Sequence, residues 1–447
     1  MDGHALVIGA GLGGLFTARA LADTYAAVTV LDRDELPDTP AARKGVPQGR
    51  HAHALLARGL EAIAELFPGI EGELAALGVS SGDAQADLHF YNNGHRLSPA
   101  RSGLTAVAAS RPLLEHIVRT RVAAHPRIQI SGGQTAHGLL STMAKDRVTG
   151  VRARATNGME SVIEADLVVD AGGRGGQSAR WLAELDCPPA PEQTVQVGMT
   201  YVTRRYRYDE KLLDGRLGLI VASYPGQVYG GAVGREDGDR IVLGLQAMLG
   251  TELPTDSDAM AAVADRLDDA LLARVIREGE PIGDAVRMRY PASVRRRYER
   301  LRWFPHGYLV TGDALCHFNP IYAQGMTVAA LEALLLRDLL RHGVDDMARR
   351  FFRGTAKLVD SPWSIATGSD LRFADIEGHR PPTARLVNAY LDRYHAAAAA
   401  DPVLGTAFLR VANLIDSPAR LFSPRLVVRV ARAARLRPAA PTKKATT

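Results

Sequence analysis

Cysteine is scarce in this 447-residue chain, and its two copies stand far apart: Cys187 and Cys316 form neither a C-x-x-C pair nor a spaced framework. That excludes a disulfide scaffold and a zinc ribbon, and the thiols are expected to be reduced in a cytoplasmic protein. Long apolar runs are missing as well. No uninterrupted stretch of about 18 apolar residues occurs, so no transmembrane segment is expected, and no basic, apolar leader precedes the first strand, so no secretory signal is expected. A strong charge of either sign is also absent. The 54 Lys and Arg against 49 Asp and Glu leave a formal +5, too small an excess to point to nucleic acid. Internal repeats are lacking too. What remains is 46% hydrophobic residues in a chain long enough for two or three domains with a sizeable core.

Glycine is present in a telling arrangement. Residues 5–8 (ALVI) predict a strand, residues 9–14 (GAGLGG) a turn, residues 15–25 a helix, and residues 28–31 (VTVL) a second strand that closes on Asp32. In such a βαβ unit Gly9 permits the tight turn, Gly11 admits a pyrophosphate close to the backbone, and Gly14 lets the helix approach the sheet. The helix N-terminus then faces the phosphates, and Asp32 is placed to accept hydrogen bonds from ribose hydroxyls. Strand, helix and acidic residue all fall where the fingerprint requires them. The unit by itself suits NAD, NADP or FAD.

Farther along, residues 43–53 (RKGVPQGRHAH) collect five basic or imidazole side chains. Composition alone favours a solvated loop leading into a helix over 55–67, and His51 and His53 lack the further ligand that a metal needs. Residues 88–97 predict a hairpin turning at Asn92-Asn93-Gly94. Ser110 caps a predicted helix over 111–124. The apolar run Leu167-Val168-Val169 suits a buried parallel strand and opens into a second glycine-rich loop, Gly172 to Gly176. Residues 195–249 read as successive strands without helices, hence a separate antiparallel sheet, followed by a helical segment over 256–278. The cluster Arg295-Arg296-Arg297 reads as a solvated face. A strand over 308–311 then ends at Gly312-Asp313, and Gln324-Gly325-Met326-Thr327 starts an Ala/Leu-rich helix. This second helix N-terminus, some 300 residues from the first, suits a ligand with two polar ends, its pyrophosphate and ribitol near Asp313 and an electron-accepting ring at the helix dipole. Beyond residue 343 the chain reads as helical, interrupted by a loop at Ser361-Pro362-Trp363. It ends in a basic amphipathic stretch over 425–437 and a disordered tail over 438–447.

Taken together, the segments RKGVPQGRHAH (43–53), DLVVDAGGRGGQSARWL (166–182), GDALCHFNPIYAQGMT (312–327) and SPWSIATGSDLR (361–372) resemble the FAD-dependent monooxygenases of the para-hydroxybenzoate hydroxylase type. They are most similar to the bacterial olefin epoxidases of polyether antibiotic biosynthesis, the monensin and lasalocid type. The resemblance runs from residue 5 to about 373. It implies an α/β fold: a Rossmann-like FAD-binding domain over 1–185 and 301–345, an antiparallel-sheet substrate domain over 186–300, and a helical region over 346–447. It also implies that Gly9, Gly11, Gly14 and Asp32 hold the AMP half of FAD, with Arg33 beside them. Arg43 and Arg111 would reach the pyrophosphate or flavin, Asp313 the ribitol, and Pro320, Gly325 and Met326 the flavin ring. His317, Asn319 and Tyr322 become pocket candidates without acid–base duty.

The activity so implied is insertion of one oxygen atom from O2 into a lipophilic polyketide or terpenoid alkene through a flavin hydroperoxide. Alternatives are an aromatic hydroxylase of the same fold, a flavin-dependent alkene reductase resembling geranylgeranyl reductases, and a non-catalytic FAD- or NAD-binding module. A halogenase is disfavoured by the missing W-x-W-x-I-P segment. In one place the chain departs from many relatives: Gly172 stands where an Asp-Gly pair implicated in nicotinamide binding is usual. Reduction by NAD(P)H directly or through a separate flavin reductase partner both remain open.

Overall fold

The computed structural model describes residues 3–436; the expected disordered tail lies outside the described residues. A five-stranded parallel sheet runs in the order Tyr308–Val310, Leu167–Asp170, His4–Ile8, Ala27–Leu31, Ile128–Ser131. Its centre is dry: Ala5, Leu6, Val7, Val168, Val169 and Leu309 are fully buried. That is why these strands read as continuous apolar runs rather than alternating ones. The helix Leu12–Leu21 lies against this sheet and against the helix Gly325–Leu340. Residues from both ends of the fingerprint region therefore share one core with residues beyond 300.

An eight-stranded sheet forms the second layer. Its two longest strands, Glu192–Arg207 and Pro281–Arg296, pair antiparallel with register shifts at Gln196/Met199 and Thr203/Arg205. The sheet continues through Arg240–Ala247, Tyr229–Glu236 and Gly218–Val221, and then takes in the hairpin Leu88–Asn92 and His95–Arg96. At the opposite edge it takes in Cys316–His317. A smaller antiparallel sheet comprises Gln134–Ser141, Val148–Ala155 and Glu160–Glu164.

Several readings need correction. Residues 195–249 are not free of helix, since Asp209 caps a short one, Glu210–Leu213, between two of their strands. Ser361-Pro362-Trp363 is no loop, because the helix Met347–Asp370 runs straight through it with Pro362 buried inside. Val359, Trp363 and Ala366 pack into the main core, and that burial outweighs the lost backbone hydrogen bond. The segment over 256–278 is two helices, Ser257–Ala264 and Leu271–Glu278, capped separately by Asp256 and started at Ala270. The arginine cluster is not a solvated face: Arg295 is 3% exposed and bonded to Asp360 and the Ala356 carbonyl, Arg296 pairs with Glu192, and Arg297 with Glu299. Among the described residues no helix is long and apolar enough to cross a membrane.

Candidate functional site

A cleft of about 370 Å3 runs between the two sheets, from the first glycine turn to the N-terminus of the helix Gly325–Leu340. At its first end Gly9 has φ +102°, and a Cβ there would stand 2.7 Å from the Ala171 carbonyl oxygen. The turn therefore demands glycine. The helix Leu12–Leu21 follows with Gly11 at its N-cap and no side-chain cap, so its first amides are left for a ligand. A Cβ on Gly11 would come no closer than 4.0 Å to any protein atom, that atom being an Arg111 amino nitrogen. Gly14 differs: it does not line the cleft, and its Cβ would stand 1.8 Å from the Gly9 carbonyl oxygen.

Asp32 is 8% exposed at the rim of this turn. Its Oδ2 accepts from the Ala10 N–H at 2.6 Å, and its Oδ1 accepts from the Asp34 N–H at 2.9 Å and from Arg43 at 3.1 Å. A carboxylate has about four lone-pair sites, so one is left for a ribose hydroxyl. Arg33 stands exposed on the cleft wall, and Arg111 lines the cleft while paired to Glu115 at 3.4 Å. Arg43 is not a cleft residue. It is 5% exposed and bonds Glu115, Asp32, Asp34 and the Ala10 carbonyl, which makes it a brace behind Asp32. The stretch over 43–53 is accordingly not the solvated loop its composition favours, because these buried carboxylates draw the arginine inward.

The other end of the cleft is built from segments far apart in the chain. After the strand Tyr308–Val310, Glu332 accepts from the Thr311 hydroxyl and the Gly312 N–H, each at 2.6 Å. That fixes the turn presenting Asp313. The loop then reaches His317, Asn319 and Pro320, all on the cleft wall, and enters the second helix at Gly325-Met326. Tyr322 does not line the cleft. It donates to Asp370 at 2.8 Å, as does the Asn319 side-chain amide at 2.9 Å, while the Asn319 backbone N–H donates to the Ser293 hydroxyl. Asp370 is fully buried, and its second oxygen has no partner. Burial pushes its carboxyl up to about 7, although the Tyr322 and Asn319 hydrogen bonds oppose this. Glu332 is likewise pushed up to about 7 by burial.

The antiparallel sheet and the loop over 43–53 face this end. His51 bonds the Thr203 hydroxyl at 3.0 Å and packs edge-on against Tyr201, and the Tyr290 hydroxyl shares a hydrogen bond of 2.8 Å with His317 Nδ1. Burial, with nearby arginines, lowers His51 and His317 to about 4 and His53 to about 3. Burial raises Tyr201 to about 12 and moves Tyr290 upward as well. Near neutral pH these imidazoles are uncharged and these phenols protonated.

Sequence reasoning passed over Arg174, Tyr201, Tyr290, Gln324, Glu332 and Asp370. Gln324 carries the clearest physical signature, being 1% exposed on the cleft with neither amide atom hydrogen bonded. An amide offers a donor and an acceptor together, as does the imide edge of a flavin ring. With two uncapped helix N-termini on one cleft and open space at Gly11, the residues present fit a flavin dinucleotide.

The family model described as FAD binding domain matches residues 2–349. Protein Rv3254 of Mycobacterium tuberculosis is 35% identical over 435 residues, covering 93% of this chain and 90% of its own. Among solved structures, the flavin-dependent brominase Bmp2 superposes with a TM-score of 0.68 at 15% identity, covering 97% of this chain and 98% of its own. PqsL from Pseudomonas aeruginosa superposes with a TM-score of 0.61 at 17% identity, covering 84% and 99%. At those identities the two structures speak to the fold alone.

Proposed function

The chain belongs to the FAD binding domain family of para-hydroxybenzoate hydroxylase-like flavoproteins, and from that premise we propose that it is an FAD-dependent monooxygenase. Its reaction is insertion of one oxygen atom from O2 into an alkene of a lipophilic natural-product intermediate, giving an epoxide. Gly9, Gly11 and Asp32 serve the AMP half of the cofactor with Arg33 beside them, Arg111 the pyrophosphate, Asp313 the ribitol, and Gln324, Gly325 and Met326 the ring. Arg43 and Gly14 act by shaping that cradle. When bound and reduced, the cofactor would supply the two electrons that activate O2, one oxygen atom passing to the alkene and the other leaving as water.

The observation that carries the epoxidase reading is the protonation of the ring end. Hydroxylation of a phenol is helped by a base that deprotonates it, yet the facing His51 and His317, lowered to about 4, are weak proton acceptors whose Nδ1 atoms are already hydrogen bonded, and Tyr201 and Tyr290 stay protonated. Alkene epoxidation needs no such base. The chain's own work is to orient the alkene and keep water out, with Ala52, Ala54, Phe318 and Met326 on the wall. Turnover of an alkene substrate under isotopic O2 should place one labelled atom in the product; unlabelled product, or equal turnover without oxygen, favours the reductase instead.

Reduction runs through a separate flavin reductase in this reading. A Cβ at Gly172 would stand 2.8 Å from an Asp170 oxygen, so an aspartate at position 172 would crowd a second carboxylate against a buried one. NADPH alone should bleach the flavin more slowly than turnover; bleaching at the turnover rate without a reductase would refute this route.

A further inference from the structure

Arg174 sits in the glycine-rich loop after the strand Leu167–Asp170, half-buried, with its guanidinium 5.3 Å from the centre of the Tyr290 ring. Among the described residues no carboxylate oxygen lies within 4.0 Å of it, and no hydrogen bond from it is formed. The other buried or half-buried arginines of the neighbourhood are answered: Arg111 by Glu115, Arg205 by Glu236, Arg295 by Asp360, Arg296 by Glu192. A partly desolvated cation without a counter-ion is costly. Its field is nonetheless felt across the cleft, where it contributes to lowering His317 and pulls against the burial that raises Asp313. The flanking Gly173 and Gly175 leave open space around it.

We propose that Arg174 receives a carboxylate of the substrate, so that the molecule oxidised is a lipophilic acid anchored over Tyr290. This rests on the monooxygenase reading above. A planar guanidinium takes a carboxylate through paired hydrogen bonds. The surrounding His51, Tyr201, Tyr290 and His317 carry no charge near neutral pH, so they accept the apolar remainder of such a molecule without competing for its anion. The cofactor's pyrophosphate has its own cation, since Arg111 is the side chain nearest to Gly11 in the first turn. Arg174 is instead engaged with an aromatic ring of the antiparallel sheet.

The test is a titration of the oxidised holoenzyme with cinnamate and with its uncharged amide, read as a perturbation of the flavin absorption spectrum. Cinnamate should bind more tightly than the amide. Arg174→Met should keep full FAD content while raising the Kd for cinnamate ~10-fold or more and leaving the amide unchanged, with Arg174→Lys in between. Equal binding of acid and amide to the unaltered protein overturns the proposal. So does loss of FAD from Arg174→Met, which would assign the guanidinium to the cofactor. Because the titration involves no turnover, its failure is separable from failure of the oxygen-label experiment.

Discussion

The two ends of the cleft are built on different plans. At the first end the groups are backbone and near neighbours: Gly9, Gly11 and Asp32 lie within 24 residues of one another, and the βαβ geometry sets their positions, with Arg43 bracing Asp32 from behind. At the other end the wall is divided among the loop carrying Asn319, a strand carrying Tyr290, the loop carrying His51 and a helix ending at Asp370. Local geometry tolerates almost no change of residue, whereas an assembled wall tolerates change but depends on buried polar contacts. One plan gives a generic grip on a cofactor, and the other gives a place where specificity can be varied.

The contrast breaks hardest within the first turn. Gly14→Ala drives a methyl group into the Gly9 carbonyl at 1.8 Å, and overpacking of this kind costs about 3 kcal/mol or more; little soluble protein with native circular dichroism should be recovered. Gly11→Val should do the reverse. A Cβ there meets no side chain nearer than the flexible Arg111 end at 4.0 Å, so the apoprotein should melt near the unaltered value, while FAD affinity measured by fluorescence falls ~30-fold or more, about 2 kcal/mol. Equal loss of folding in both variants would erase the distinction between the packing glycine and the ligand-facing one.

At the ring end the expected effects are smaller and depend on pH. Asp370→Ala leaves the Asn319 and Tyr322 donors buried without an acceptor, a cost of about 1–3 kcal/mol, seen as a lowered Tm with FAD still bound. Asp370 and Glu332 are raised by burial to about 7 from ordinary values of 3.8 and 4.5. Between those ordinary values and 7 the folded chain holds protons that the unfolded chain has released. Their contribution to stability is therefore greatest at the acid end of that window and falls as pH rises through 7. Asp370→Asn should flatten the decline in Tm across that window and leave the share due to Glu332; an unchanged slope would show that the carboxyl is ionised throughout. Smallest of all, His317→Ala should lower product formed per O2 consumed without loss of FAD. Its pH–rate profile should show no imidazole-like step near 6.5 in either protein, because the native ring sits at about 4.

The same division explains what could be read in the sequence. The first turn was legible because its spacing is dictated by one strand, one helix and one acidic residue, all local. The second helix N-terminus was legible as a glycine start after a strand ending in Gly312-Asp313. Tyr201 and Tyr290 were not, since alternation along a strand names two faces and only the pairing of Glu192–Arg207 with Pro281–Arg296 shows which one meets the cleft. Asp370 was hidden because Pro362 reads as a helix breaker, and only packing keeps the helix intact as far as that carboxyl. The buried state of Arg43 required knowing that Asp32, Asp34 and Glu115 converge on it.

One short peptide also governs how this molecule can open. The strand Tyr308–Val310 belongs to the parallel sheet and Cys316–His317 to the antiparallel sheet, so residues 311–315 alone join the two there. Glu332 clamps that link at Thr311 and Gly312. A linker so short and so tied holds the edge of one sheet close to the edge of the other at this point. Any change in the spacing of the two sheets at this edge would have to be taken up within those five residues, against the hydrogen bonds that Glu332 makes to them.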